Sequence, residues 1–201
     1  MNQVLDKKQN ISVYDANANG MARKFNSIGA RVKDIDKIFS YLNKDNPYIL
    51  EIGCGNGRDA QEFLKRTTNY LGIDYSWGMI EIARRRSPQG TFKICDFADC
   101  NYPIKADAIV AFAALVHSPR TEVKKVFEKS YQSLSDGGIF YISLKLGDHK
   151  RFIKKDEFGP RIFYFYTSDD IKKLAGDKFK VIYEHKTDLR GQKWFEIILQ
   201  K

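Results

Sequence analysis

A glycine-rich turn between two short apolar segments constrains this chain more than any other feature. The run Glu51-Ile-Gly-Cys-Gly-Asn-Gly-Arg-Asp59 places three glycines at alternate positions, directly after the apolar stretch 48–52. A second apolar stretch, 70–74, ends at Asp74, roughly twenty residues beyond the glycines, where a carboxylate would hold a ribose diol. Glycines let the backbone turn sharply and let a ligand approach bare amide groups. The pattern therefore predicts two strands with a nucleoside site at their ends.

The spacing of the glycines separates several kinds of nucleotide site. A dinucleotide-binding loop has the pattern G-x-G-x-x-G, whereas this chain has G-x-G-x-G from Gly53 to Gly57. A phosphate-binding loop needs Lys-Ser or Lys-Thr after its last glycine, and Arg58 stands there instead. With Glu51 before the first glycine, the motif resembles E/D-x-G-x-G-x-G, the first motif of the class I S-adenosylmethionine-dependent methyltransferases. The chain is similar to small uncharacterised bacterial members of that family.

Composition indicates one folded domain. The chain has 201 residues, of which 43% are hydrophobic, enough for a substantial core. We expect a single domain, with an N-terminal helical lid or arm at 1–46, a cofactor-binding half at 47–144, and a substrate-side half at 145–201 that ends in a hairpin. No apolar run is long enough to span a bilayer, and the N-terminus lacks the apolar block of a signal peptide. The three cysteines show no zinc spacing, which predicts reduced thiols, no metal site and a cytoplasmic location.

Apolar and amphipathic segments alternate along the chain, which predicts an α/β fold with a mostly parallel, Rossmann-like sheet covered by helices on both faces. The resemblance implies seven strands, the last one antiparallel and inserted beside the fifth. The predicted strands are 48–52, 70–74, 91–95, 106–112, 139–144, 178–186 and 193–199. The predicted helices are 28–42, 58–65, 78–86, 123–134 and 169–174, the last capped by Ser168, and a charged connection covers 145–161.

The resemblance also implies S-adenosylmethionine as the cofactor, with S-adenosylhomocysteine as its product, and assigns contacts to it. Gly53 and Gly55 would meet the methionine part, and Asp74 would accept from the ribose hydroxyls. Asp96 would accept from the adenine amino group, and the Phe97 amide would donate to a ring nitrogen. The remaining expected contacts are Glu51 before the glycines, Tyr75 and Met79 around the adenine, Ala111 and Phe112 at the end of the fourth strand, and the N-terminal Tyr14 and Arg23, with Arg23 pairing to the carboxylate. Core packing explains Met79 equally well, and a surface position explains Arg23 equally well.

Three residues are candidates for the chemistry and for the acceptor. His117 follows the fourth strand, where the methyl group should emerge, and its unperturbed pKa near neutrality suits a general base. The alternative is a histidine that only orders its loop. Arg161 would bind an acidic acceptor, and Tyr166 would line the pocket. The alternation of Ile162, Tyr164 and Tyr166 fits a short strand equally well.

The acceptor class is less constrained than the cofactor. No Asn-Pro-Pro-Tyr or Asp-Pro-Pro-Tyr sequence follows the fourth strand, which disfavours methylation of exocyclic base amines. We expect a small-molecule acceptor. The net charge of +9 keeps an RNA (tRNA) methyltransferase as the alternative. A non-catalytic protein that binds S-adenosylmethionine is a third reading, and an NAD-dependent dehydrogenase is a distant fourth. No sequence feature specifies an oligomeric state.

Overall fold

The computed structural model describes residues 3–103, 105–189 and 191–201 of the chain. Its strands are β1 (Ile49–Ile52), β2 (Tyr70–Asp74), β3 (Thr91–Ile94), β4 (Ala106–Phe112), β5 (Leu134–Lys145), β6 (Arg151–Asp156), β7 (Gly159–Tyr164), β8 (Lys180–Leu189) and β9 (Gln192–Gln200). Its α-helices are α1 (Gln3–Ala16), α2 (Ala18–Ile28), α3 (Val32–Ser40), α4 (Ala60–Leu64), α5 (Trp77–Arg86), α6 (Arg120–Ser133) and α7 (Ser168–Ala175). No helix among these residues is long and apolar enough to cross a membrane.

Seven strands form one sheet in the order β3-β2-β1-β4-β5-β9-β8. Strands β3, β2, β1, β4 and β5 run parallel, while β9 lies antiparallel between β5 and β8. Buried apolar clusters cover both faces, which explains why the central strands read as nearly continuous apolar runs. The predicted α/β, Rossmann-like sheet with an antiparallel strand beside the fifth is confirmed.

Local chemistry explains where several helices begin. Ser76 caps α5, because its side chain accepts a hydrogen bond of 3.2 Å from the Met79 amide. Helix α7 is capped by Thr167, not by the expected Ser168. Thr167 and Asp170 form a reciprocal capping box that satisfies two backbone amides. The predicted helix at 28–42 is shorter at its start, since Gly29 (φ +82°) ends α2 and α3 begins at Val32.

The charged connection predicted at 145–161 is wrong, since most of it is strand. Strands β6 and β7 pair antiparallel as a separate two-stranded hairpin, with Arg151 opposite Tyr164 and Asp156 opposite Gly159. The charges of Arg151, Lys154, Lys155 and Asp156 outnumber the apolar residues of β6, which is why the sequence did not indicate a strand there. The fifth strand also starts earlier than predicted, at Leu134, because Leu134 pairs with Ala106 before the register shifts.

Helix α1 lies across the hairpin and is held there by buried hydrogen bonds. The Asn10 side chain accepts from the Ile162 amide at 2.8 Å and donates to the Ile162 carbonyl at 3.0 Å. Asn17, at the end of α1, donates to the Phe158 carbonyl at 3.0 Å. The hairpin and α1 together therefore cover the carboxyl ends of the central strands.

The expectation of three reduced thiols is wrong for two of the cysteines. Cys95 and Cys100 form a disulfide across the turn after β3, where their Cα atoms lie 6.0 Å apart, within the range that a disulfide spans. Cys54 is free and buried, and burial raises the pKa of its thiol well above the usual value.

Candidate active site

A cavity of about 500 Å³ opens at the carboxyl ends of β1, β2, β4 and β5. Ligands of open α/β sheets bind at this edge, where neighbouring loops diverge. Eleven of the site residues predicted from the sequence line this cavity: Tyr14, Glu51, Gly53, Gly55, Asp74, Tyr75, Met79, Phe97, Phe112, His117 and Arg161. Residues that are far apart in the sequence thus share one wall.

The glycine loop forms one end of the cavity. Its glycines are required for different physical reasons. Gly53 has φ +69°, and a Cβ there would lie 2.4 Å from the Ala114 Cβ, so only glycine fits. Gly55 has φ +54°, but a Cβ there would meet nothing within 4 Å. The backbone at Gly53 is therefore fixed by packing, whereas Gly55 presents bare backbone to open space in the cavity.

Asp74 stands beside the loop with part of its capacity to accept hydrogen bonds still available. Its Oδ2 accepts from the Gly55 amide at 2.9 Å, and its Oδ1 accepts from the Ser76 amide at 2.9 Å. Burial raises the pKa of Asp74 to about 6, and nearby Asp15 adds to the rise, while the amide hydrogen bonds oppose it. Each oxygen keeps a lone pair for a ligand hydroxyl.

Glu51 lies at the floor of the same end. It is 2% exposed and accepts a hydrogen bond of 2.5 Å from the Tyr70 hydroxyl. Burial, followed by repulsion from Asp59, raises the pKa of Glu51 well above its ordinary value. The carboxyl group is therefore held toward its neutral form, in which it can donate as well as accept a hydrogen bond.

Two arginines meet one carboxylate beside the glycine loop. Arg58 Nη2 lies 2.6 Å from Asp59 Oδ2, and Arg31 Nη1 lies 2.8 Å from the same oxygen. All three residues line the cavity, and the Arg31 guanidinium also lies 5.0 Å from the Phe112 ring centroid. Because two cations share one anion, this corner carries a net positive charge that suits a ligand carboxylate.

His117 is held by hydrogen bonds on both ring nitrogens. Its Nδ1 lies 2.7 Å from the Ile162 carbonyl oxygen, which can only accept, so this nitrogen carries the proton. The Tyr14 hydroxyl lies 3.0 Å from Nε2 and donates to it in that tautomer. Burial lowers the pKa of His117 to about 4, with Arg161 and Lys145 contributing. The imidazole is therefore neutral at physiological pH, and its free lone pair is directed at Tyr14.

Four predicted site residues lie outside the cavity. Arg23 is on the exposed face of α2, whereas Lys24 of the same turn lines the cavity. Ala111 faces the opposite side of the sheet from Phe112, because side chains alternate along a strand, and it is fully buried there. Tyr166 is also fully buried, and its hydroxyl donates to the Ser118 carbonyl at 2.5 Å.

Asp96, the fourth, is engaged by the N-terminal helix. Lys7 of α1 places its Nζ 2.5 Å from Asp96 Oδ2 and 2.7 Å from Glu122 Oε1. The Asp96 carboxylate also accepts from the Ala98 amide at 3.0 Å. Phe97, in contrast, lines the cavity and is 3% exposed. Of the pair expected at the adenine, the structure brings Phe97 to the cavity and leaves Asp96 paired with Lys7.

The sequence reasoning missed three charged residues of the cavity. Asp34 of α3, Lys145 of β5 and Glu196 of β9 line it, together with Trp194 of β9. In the sheet, Lys145 pairs with Trp194 and Ser143 pairs with Glu196. The side chains of these two strand pairs therefore share one face of the sheet. The alternation of side chains along β9 places Trp194 and Glu196 on one face. Which face lines the cavity can be predicted only when the strand beside β9 is known.

Comparison with known proteins matches a methyltransferase domain family over residues 49–138. Among characterised relatives, the chain is 37% identical over 103 residues to the trans-aconitate 2-methyltransferase of an Acidovorax species, covering 48% of this chain and 38% of the relative. It is 26% identical over 161 residues to an uncharacterised methyltransferase of Bacillus cytotoxicus, covering 79% of this chain and 75% of the relative. It is 30% identical over 105 residues to the sterol 24-C-methyltransferase of Aspergillus fumigatus, covering 48% of this chain and spanning only 27% of that relative.

Solved structures share the fold. Magnesium protoporphyrin IX methyltransferase from Synechocystis, determined with S-adenosylmethionine bound, superposes with a TM-score of 0.68 at 18% identity, covering 85% of this chain and 77% of its own. At 18% identity this superposition shows only that the fold is shared. The domain match and the relatives show similarity in sequence as well. The glycine loop at Gly53 and the acid that ends β2 had already indicated the same family. The chain thus carries a methyltransferase domain at residues 49–138, and its sequence and fold are similar to those of S-adenosylmethionine-dependent methyltransferases.

Proposed function

We propose that this protein transfers a methyl group from S-adenosylmethionine to a small-molecule acceptor. The observation that carries the proposal is that one cavity joins the glycine loop and Asp74 to His117 and Arg161. Its volume of about 500 Å³ falls in the range of small-molecule sites. The cofactor and the acceptor would therefore meet inside one cavity.

The residues present fit the cofactor. Gly55 presents backbone to open space, and Asp74 has lone pairs available for ribose hydroxyls. The net positive corner at Arg31 suits the methionine carboxylate, a role that the sequence had suggested for Arg23. Tyr75, Met79 and Phe97 supply apolar surface for the adenine, while Glu51 and Phe112 line the methionine end.

S-adenosylmethionine supplies an electrophilic methyl group on a sulfonium, and transfer to a nucleophile requires alignment and exclusion of water. The protein provides both through Phe112, Val116 and Phe163, which line the cavity with apolar surface. For an acceptor that carries a proton, Tyr14 and His117 offer a route for it. The Tyr14 hydroxyl would accept the proton and pass its own to the neutral His117 Nε2.

The experiment is methyl transfer from labelled S-adenosylmethionine to a cell extract separated by size. The proposal expects label in products below about 1 kDa. Label confined to RNA, with binding that weakens steeply as salt rises, would instead support the alternative acceptor. That outcome would assign the exposed hairpin lysines Lys150, Lys154 and Lys155 to phosphate contacts. Cofactor binding with no label in any fraction would indicate a binding protein and contradict the proposal.

The role of His117 is tested separately. His117→Ala is expected to lower turnover about 100-fold, the scale for loss of a general base, while cofactor affinity persists. Tyr14→Phe should lower turnover to a similar extent, since it breaks the same route. Unchanged turnover in both variants would remove the pair from the chemistry.

A further inference from the structure

Two cations that line the cavity, Arg161 and Lys145, keep hydrogen-bond donors without a partner among the described residues. Arg161 is 6% exposed and lines the cavity, where its Nη2 donates to Asp156 while its buried Nε has no hydrogen-bond partner among the described residues. Lys145 also lines the cavity and lies over the rings of Phe163 and Trp194, at 5.6 and 5.7 Å. In the described part of the chain, no carboxylate lies within ion-pair distance of Lys145. Arg161 and Lys145, which we call the basic wall, therefore offer unpaired donors to an anionic group.

The cavity also has an acidic wall, formed by the carboxylates of Asp34 and Glu196. Glu196 lies 3.3 Å from Lys37. For Asp34, the described residues offer no cation within ion-pair distance. Burial, with repulsion from Glu196, raises the pKa of Asp34 to about 6. A cationic group bound here would offset that burial cost.

A buried hydroxyl is directed at this acidic wall. Tyr141 is 0% exposed, and burial, followed by the nearby carboxylates of Asp34 and Glu196, raises the pKa of its hydroxyl. One hydroxyl has a single proton to donate. The two carboxylates therefore keep acceptors that a ligand ammonium can use.

The sheet register fixes the spacing of the two walls. Lys145 pairs with Trp194, and Glu196 is the diagonal neighbour of Lys145 on the same face. Diagonal neighbours across antiparallel strands have Cα atoms about 7–8 Å apart. The two side chains nevertheless form no ion pair with each other among the contacts of the described residues. Opposite charges thus face one small space without neutralising each other.

We propose that the acceptor is a small zwitterion, an amino acid or a close derivative, whose carboxylate binds Arg161 and Lys145 and whose ammonium binds Asp34 and Glu196. This inference rests on the proposed methyl transfer, since it names the class of acceptor for that reaction. A bidentate guanidinium suits a carboxylate, and paired carboxylates suit an ammonium. Phe163 and Trp194, which also line the cavity, suit an apolar body.

The test begins with labelled S-adenosylmethionine and a filtered small-molecule extract, followed by mass spectrometry of each labelled product. The inference expects the principal acceptor to carry both an ammonium and a carboxylate. An acceptor that carries only one of these charges, or neither, overturns the inference and leaves the proposed methyl transfer intact. Cofactor binding without any labelled product overturns both.

Variants then test the walls. With the acceptor identified, Arg161→Gln and Asp34→Asn should each raise its KM at least tenfold, while the Kd for S-adenosylhomocysteine stays within twofold. Lys150→Gln and Asp36→Asn are matched controls, because both side chains are exposed and lie outside the cavity. Neither control should change KM. A KM within twofold of wild type in either wall variant contradicts the inference, provided that thermal unfolding shows the variant to be folded.

Discussion

The two ends of the cavity are built in opposite ways. Beside the glycine loop, Asp74 is oriented by two backbone amides, and Gly53 is fixed by contact with Ala114. Where we propose that the acceptor binds, Lys145 and Asp34 come from separate elements, and neither has an ion-pair partner within the described residues. The first region depends on the conformation of its backbone, so few substitutions are tolerated there. The second depends on side chains, whose polar groups remain available to a ligand.

This difference explains why a family can keep one cofactor and change its acceptor. Changing a side chain at the acceptor end leaves the backbone of the central strands in place. Changing the glycine loop alters packing and backbone together, because its conformation lies in the left-handed region. Stability and binding measurements should therefore divide along the same line.

The largest effect is expected at the loop. Gly53→Ala places a Cβ 2.4 Å from the Ala114 Cβ at φ +69° and should lower the free energy of unfolding. Overpacking and backbone strain together correspond to about 3 kcal/mol. Gly55→Ala has comparable φ but open space around it, so only the strain of about 1 kcal/mol should remain. Urea unfolding of both variants measures the difference, and equal losses would contradict the packing account.

A smaller effect is expected where α1 holds the hairpin over the cavity. Asn10→Ala removes both hydrogen bonds to Ile162 and leaves its buried amide without that partner, while the carbonyl keeps His117, which should cost about 2 kcal/mol. Lys8→Ala is the control, because Lys8 is exposed on the same helix. Limited proteolysis should cleave the Asn10 variant faster in its N-terminal region. Equal cleavage of the two variants would show that α1 is held by other contacts.

The smallest effect has the opposite sign. Asp34 has a folded-state pKa of about 6, above its ordinary value of 3.8, so its burial penalises the folded protein above pH 6 and not below pH 3.8. Asp34→Asn should therefore stabilise the protein by about 1–2 kcal/mol at pH 7.5, after allowance for solvent screening. The gain should decrease as pH falls through 6 toward 4. Urea midpoints against pH measure it, and destabilisation at pH 7.5 would contradict an unsatisfied acceptor end.

The sequence predicted the cofactor end better than the acceptor end for a physical reason. The glycine loop and Asp74 belong to one local strand–turn–helix–strand unit, so their spacing in sequence reflects their spacing in space. Sheet order followed from the alternation of elements and the family resemblance. Asp34, Lys145 and Glu196 come together only through the pairing of β9 with β5 and the packing of α3, which no local pattern encodes.

Residues that the structure places away from the cavity, and the hairpin, differ from the sequence predictions for similar reasons. Arg23 directly precedes Lys24, which lines the cavity. Successive residues of a helix point in different directions, so a shift of one position places the side chain on another face. Tyr166 belonged to an alternating strand-like pattern, and its inward face is core. The hairpin β6–β7 was masked by charges such as Lys154 and Lys155, which point to opposite faces of β6 and break any apolar alternation.

Calorimetric binding of S-adenosylhomocysteine to wild type, Asp74→Ala and Arg161→Gln tests the division of the cavity most directly. Asp74→Ala should weaken binding by about 1–3 kcal/mol, the scale for losing hydrogen bonds of a buried polar group. Arg161→Gln should leave the Kd within twofold, because we propose that Arg161 binds the acceptor and not the cofactor. Unchanged affinity in Asp74→Ala, or an equal loss in Arg161→Gln, would contradict the account of two separate ends.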